Sequence, residues 1–165
     1  MDFNKEKFKK LLHYIIGRCG DEGNVEKSVL CNLLYFSDFN FFELYEQSLT
    51  DETYRKLPHG PVPAHFDVAI DELAKEGKIK ATGNISSQMP INDYASLKEP
   101  QLDFTPEELL VIDDVISELG NMNANQLIEY AQGDMPWKAT DDNEIMDYGF
   151  VFYRNPEYVK REYEK

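Results

Sequence analysis

The sequence predicts a mainly α fold: a compact helical domain of five to six helices with a small β-hairpin or sheet, one part of it ordered like a winged helix. Three observations carry this. Apolar residues recur at helical spacing in several stretches. Strong start and stop residues bracket those stretches. The strand-like runs are short and sit beside Gly- and Pro-containing turns.

The first helix is carried by Phe8, Leu11, Leu12, Ile15, Ile16 and Cys19, which fall on one face of a 3.6-residue period. Gly20 and the run Asp21-Glu22-Gly23 stop it. Lys5, Lys7, Lys9 and Lys10 are expected at mostly solvated positions around it. Asn24 is expected to cap a second helix reaching about Glu46. Val29, Leu30, Leu33, Leu34, Phe36, Phe41 and Leu44 spread over more than one face, so this helix should be central to the core or lie under two layers.

Thr53 to Leu57 reads as a short strand. Pro58 to Pro63 holds three prolines and reads as a rigid turn, not a strand or helix interior. A helix follows from about His65 to Glu76, with Phe66, Ala69, Ile70 and Leu73 as its apolar face and Gly77 as its stop. Lys78 to Thr82 reads as a strand and Gly83-Asn84 as a turn. Signals are weak from there to Phe104, where Ile85, Met89, Ile91, Tyr94 and Leu97 fit short strands or an ordered loop. Thr105-Pro106-Glu107-Glu108 is a strong helix start, and Gly120 ends that helix. Asn123 caps a short helix closed by Gly133 and Pro136. Tyr148 to Tyr153 is expected to be extended, and Asn155-Pro156-Glu157 to open a last short helix.

At 165 residues one domain is the default, spanning 1–165. With 42 % hydrophobic and 13 % aromatic residues, a packed core is affordable without disulfides or metal. The amino terminus lacks the basic and apolar regions of a signal peptide, and no apolar run approaches the ~20 residues of a membrane span. The two cysteines, Cys19 and Cys31, lie on apolar helical stretches. A cytoplasmic protein with reduced thiols is expected. The formal net charge of −14 repels phosphate backbones and anionic membranes and favours a basic protein partner.

Little catalytic chemistry stands out. His13, His59 and His65 lack the spacing of a zinc site. Asp141-Asp142-Asn143-Glu144 lacks the alternation and central Gly of a calcium loop and reads as a solvated acidic turn. Phosphate-binding Gly loops and the Gly-x-Ser-x-Gly elbow do not occur. No catalytic residue, metal or cofactor is therefore expected, and an enzyme is the third choice behind two binding roles. The helix at His65–Glu76 with the following strand resembles a recognition helix and wing. Its Asp67, Asp71, Glu72 and Glu76 stand against Lys75 alone, which makes direct nucleic-acid binding unfavourable.

Four stretches resemble one family. They are Leu33-Leu34-Tyr35-Phe36-Ser37-Asp38-Phe39, the segment Thr53 to Pro63 with its Gly-Pro-Val-Pro turn, Asp134-Met135-Pro136-Trp137-Lys138-Ala139-Thr140, and Ile145 to Arg154. In this order they are similar to the Panacea domain, the SocA-like antitoxins often described as phage-associated proteins. The resemblance covers roughly Lys7 to Arg154 and extends the single domain to a Panacea domain over 1–165. It implies a mainly helical domain that neutralises a partner toxin protein by direct contact, within a toxin–antitoxin system. Gln132 stands where many members have His, and His59 where an aromatic commonly precedes Gly-Pro. An acidic winged-helix-like phage or transcriptional regulator without catalytic activity is the alternative.

Aromatic side chains enrich interface cores, so the candidate partner-binding residues are Phe39, Phe42 and Tyr45 on the second helix, Trp137 beside Pro136, and Tyr153-Arg154 in the tail. Each aromatic could instead be core. Trp137 could plug its loop into the interior, and Arg154 could pair with an internal acid and hold the tail down.

Overall fold

The computed structural model describes residues 3–20, 26–82 and 93–161. Among these, the chain runs α1 (Lys5–Gly20), α2 (Lys27–Tyr45), β1 (Tyr54–Leu57), β2 (Gly60–Pro63), α3 (Phe66–Lys75), β3 (Ile79–Thr82), β4 (Asp93–Ser96), α4 (Pro106–Leu119), α5 (Ala124–Gln132), α6 (Met135–Lys138) and a 3-10 helix (Tyr148–Tyr153). The fold is mainly α with two small antiparallel β pairs, β1–β2 and β3–β4. No helix is long and apolar enough to cross a membrane among the described residues.

The central element is α2. It packs on α1, α4, α5, β2 and the 3-10 helix, so nearly every side chain from Val29 to Phe41 is buried. That explains the apolar residues on more than one face. The helix begins two residues later than expected, with Glu26 at the cap position and no side-chain cap bond. Asn24 itself lies outside the described residues. Glu46 ends the helix in the left-handed region, its N–H reaching Phe42 O.

The lysines of α1 are not simply solvated. Lys5 and Lys9 both reach Glu72 on α3, at 3.1 and 3.2 Å, and Lys9 also reaches Glu76 at 2.6 Å. Lys7 pairs with Glu108 on α4, and Lys10 with Asp103. Lys9 is buried to its tip, a long apolar stem covering the α1–α3 seam with its ammonium among carboxylates.

Pro58 to Pro63 is also not simply a turn: Gly60–Pro63 is strand β2, paired with β1 in the register Tyr54↔Pro63, Arg55↔Val62, Lys56↔Pro61 and Leu57↔Gly60. The prolines are tolerated because of that register. Ala64 N–H bonds to Thr53 O at 2.9 Å, which places 53/64, 55/62 and 57/60 at hydrogen-bonded positions. Pro61 and Pro63 then occupy the alternate positions, where no N–H would have faced β1. On its other side β1 bonds the 143–146 segment, through Lys56 N–H to Glu144 O and Met146 N–H to Tyr54 O. Gly60 has φ +120°, a backbone conformation that a residue with a side chain rarely adopts, and it lies against the buried Asn32 amide.

The helix-and-wing order is present as α3 followed by β3–β4. Gly77, at φ +74°, closes α3 with Lys78 N–H on Leu73 O and its own N–H on Ala74 O, a Schellman arrangement. The Gly83-Asn84 turn and residues Ile85, Met89 and Ile91 lie outside the described residues. Tyr94 falls in β4 and packs edge-on against Phe66. Thr105 caps α4 as expected, in a capping box with Glu108, and the cap expected at Asn123 is made as a full capping box, with Gln126 as a partner not expected from the sequence.

Two expectations for the tail are corrected. Tyr148–Tyr153 is a 3-10 helix, not extended, because Asp147 accepts the Gly149 N–H and starts a tight turn. Asn155-Pro156-Glu157 forms two successive turns, Tyr158 N–H to Asn155 O and Val159 N–H to Pro156 O, and no helix. The amides that a longer helix would use next, those of Lys160 and Arg161, are instead bonded to Glu43 of α2.

Thr105→Ala removes one half of the α4 capping box. We expect the urea midpoint to fall by an amount corresponding to about 1 kcal/mol, with an unchanged denaturant slope.

Candidate functional site

Two buried polar networks hang from α2. The first centres on Arg154, whose side chain and that of Glu43 are both fully buried. Its Nε and Nη2 grip the two carboxylate oxygens of Asp134 at 2.9 and 2.8 Å. Nη1 donates to Asn40 Oδ1 at 2.8 Å and Glu43 Oε1 at 3.0 Å. Tyr35 OH completes the set by donating to Asp134 Oδ2 at 2.8 Å. Burial works against the Arg154 charge, but Asp134, Tyr35 and Glu43 overcome it and hold its pKa above the ordinary value. Glu43 also accepts the backbone N–H groups of Lys160 and Arg161, so one α2 carboxylate fixes both the arginine and the chain that follows it.

The second network centres on Asp38, fully buried one helical turn from Tyr35. It accepts from Tyr54 OH at 2.6 Å, Thr50 Oγ1 at 2.9 Å and Thr50 N–H at 2.9 Å. Burial pushes its carboxyl up to about 7, and these three donors only partly oppose the shift. Beside it, Glu52 accepts from His65 Nδ1 at 2.7 Å and His65 N–H at 2.9 Å. His65 stacks on Phe3 at 4.0 Å. Tyr148 OH donates to Glu52 O at 2.6 Å, linking this network to the 3-10 helix.

Above these networks lies an aromatic face. Tyr148 stacks on Phe39 at 4.2 Å and leans on Phe42 at 5.4 Å, and Phe42 meets Phe152 at 5.8 Å. Arg161 covers Phe152 at 5.7 Å. Tyr45 and Ile145 are exposed by 42 % and 55 %, and Tyr153 by 71 %, which on so acidic a chain leaves apolar surface open to a partner.

Of the six residues singled out from the sequence, Phe42, Tyr45 and Tyr153 reach the surface, and the first two share the carboxy-terminal end of α2. Phe39 is wholly buried beneath Tyr148. Trp137 is 9 % exposed, with the Lys56 ammonium 4.7 Å over its ring and bonded to the carbonyls of Trp137 and Thr140. Arg154 is the internal anchor of the tail. The structure brings Tyr148, Ile145, Asp51 and Asp147 together with Phe42 along one groove at the end of α2, and none of these four was singled out from the sequence. Tyr148 was hidden because an extended tail would have pointed it elsewhere; Asp147 before Gly149 was the available sign of a capped turn.

Other candidate chemistry is otherwise employed. His13 Nε2 meets Ser96 Oγ and Lys98 O, and burial lowers its pKa. Cys19 and Cys31 are buried, and burial pushes the Cys31 thiol up to about 12. The acidic turn at 141–144 is exposed and fastened to β1 by Asn143 N–H on Lys56 O.

A family model described as antitoxin SocA-like, Panacea domain, matches residues 30–138, from the start of the α2 core to the end of α6. No curated protein matches the chain, and no solved structure does.

Arg154→Met leaves Asp134 and Glu43 buried without their cation. We expect a loss of about 3–5 kcal/mol, read by urea or thermal unfolding. Asp38 gives a pH signature. Its folded pKa, about 7, lies above the unfolded value of about 4, so folding takes up a proton between them, and this contribution to stability is full below about pH 4, falls as pH rises through about 7 and is gone above that. Asp38→Asn should therefore gain on wild type by about 2 kcal/mol or more between roughly pH 5 and 8. A difference in melting temperature that is constant with pH would contradict this.

Proposed function

The chain belongs to the SocA-like antitoxin family that carries the Panacea domain, and from that premise we propose that it is the antitoxin half of a toxin–antitoxin pair, one domain over 1–165 that neutralises a toxin protein by direct contact. The observation that carries this is the aromatic face at the end of α2. Half-buried Phe42 packs with Tyr148 and Phe152, and Tyr45 and Tyr153 stand exposed at the ends of α2 and of the 3-10 helix, on a scaffold locked from beneath by Arg154 and Asp38. A preorganised aromatic surface loses little side-chain entropy on binding, and such residues dominate interface energetics.

The surplus of negative charge supports a protein partner of basic character over nucleic acid. On α3, Lys75 is engaged by Asp71, and Glu72 and Glu76 absorb Lys5 and Lys9. This leaves the wing-side helix without free cations for phosphates. We assign the protein no catalytic role. The cytoplasm, and carriage on a phage genome, are the setting this reading implies.

The test is co-expression with a growth-arresting protein encoded next to this gene, comparing wild type with Tyr45→Ala, Phe42→Ala and Tyr153→Ala. Wild type should restore growth and co-purify with the toxin. Loss of a true anchor should weaken binding by about 2 kcal/mol, while Tyr45→Ala and Tyr153→Ala keep the wild-type melting temperature. Phe39→Ala, Trp137→Ala and Arg154→Met should lower melting temperature as well as binding. Folded wild type that neither rescues nor co-purifies would sink the antitoxin reading.

A further inference from the structure

Resting on the reading above, we propose that the groove between the end of α2, the 48–53 loop and the 145–148 stretch receives an extended segment of the protein partner and seats one of its arginine or lysine side chains. The groove measures about 330 Å3. Phe42, Tyr148, Ile145 and Met146 give it an apolar and aromatic lining, and Asp51 and Asp147 stand on its walls. Among the described residues no basic side chain lines it.

Three features select a cationic, extended occupant. Neither Asp51 nor Asp147 makes an ion pair with a described residue; Asp147 spends one carboxylate oxygen on the Gly149 N–H, at 2.8 Å, and keeps the other. A guanidinium or ammonium would satisfy these carboxylates while its stem lies on Phe42 and Tyr148, and the aromatic faces add attraction for the charge. The second feature is backbone. The 143–146 segment bonds to β1 through Glu144 O and Met146 N–H, so the N–H and C=O of Ile145 between them point away from β1. They find no partner among the described residues, and an extended chain adds to such an edge by main-chain hydrogen bonds. The third is net charge. A second copy of this chain carries another −14 overall, which disfavours it against a basic partner as the occupant.

The probe is the peptide N-acetyl-Val-Arg-Val-amide, titrated into the 15N-labelled full chain, with the same peptide carrying citrulline for arginine as the uncharged isostere. Amide shifts should concentrate at Phe42, Asp51 and 145–148, and the citrulline peptide should bind about tenfold or more weakly. The variant Asp51→Asn/Asp147→Asn should lose a similar factor. Asn retains the cap oxygen at position 147 and suits the left-handed backbone at position 51, φ 59°, so an unchanged spectrum elsewhere certifies its fold. Equal binding of the two peptides, shifts that map elsewhere, no shift at millimolar peptide, or an unaffected double variant would each overturn the assignment. Failure here separates from failure of the antitoxin reading. Peptide binding without toxin rescue leaves the groove and removes that reading, whereas toxin rescue by the double variant removes the groove and leaves the reading.

Discussion

A buried guanidinium is the constraint on which the rest of this structure depends. Arg154 cannot deprotonate, so its burial is tolerable only with every donor engaged and its charge met. Asp134 supplies a two-oxygen grip from the α5–α6 junction, and Glu43 and Asn40 supply further acceptors from α2. Three separate parts of the chain must therefore arrive together. Once they do, the 3-10 helix just before Arg154 has little choice of place, and Tyr148 falls on Phe39. The aromatic face follows from an electrostatic requirement beneath it.

Local signals made much of the fold legible. The Thr105 and Asn123 caps, the stop at Gly77 and the α1 and α3 stripes all act within a few residues, and each appears as the sequence suggests. The central placement of α2 was readable too, because apolar residues on several faces can only be covered from several sides. The failures share a different cause. Pro61 and Pro63 were read by their intrinsic character, and only the pairing register shows that their missing N–H groups faced away from β1. Lys9 reads as surface until α3 brings Glu72 and Glu76 over it. The tail looks extended until Asp147 caps it and Glu43 claims the amides of Lys160 and Arg161. Each depends on a partner far away in sequence.

The candidate site divides along the same line. That aromatic residues would matter was visible in their number, but which ones reach solvent was not. Phe39, Phe42 and Tyr45 are three and six positions apart on one helix, yet Phe39 is sealed and Tyr45 open. Helical spacing alone cannot distinguish them, because what covers Phe39 is Tyr148, more than a hundred residues later.

The four stretches whose sequence resembles the family meet mostly in the interior, and the family model, matching residues 30–138, covers the first two and most of the third. Tyr35, Asp134 and Arg154, from three of them, form one hydrogen-bonded set, while Asp38 and Tyr54, from the first and second, form another. These residues make a scaffold and hardly touch solvent, so the likeness reports how the domain is held together more than what it holds. The open positions above the scaffold, such as Tyr45, Ile145 and Tyr153, are used by neither network, and under the antitoxin proposal partner choice would rest on them. Such positions can change without leaving a buried charge unpaired, whereas Arg154 and Asp134 cannot. A domain built this way can keep one interior while its surface is refitted to different proteins, since the energetic cost of change is concentrated below the surface and its effect on recognition lies above it.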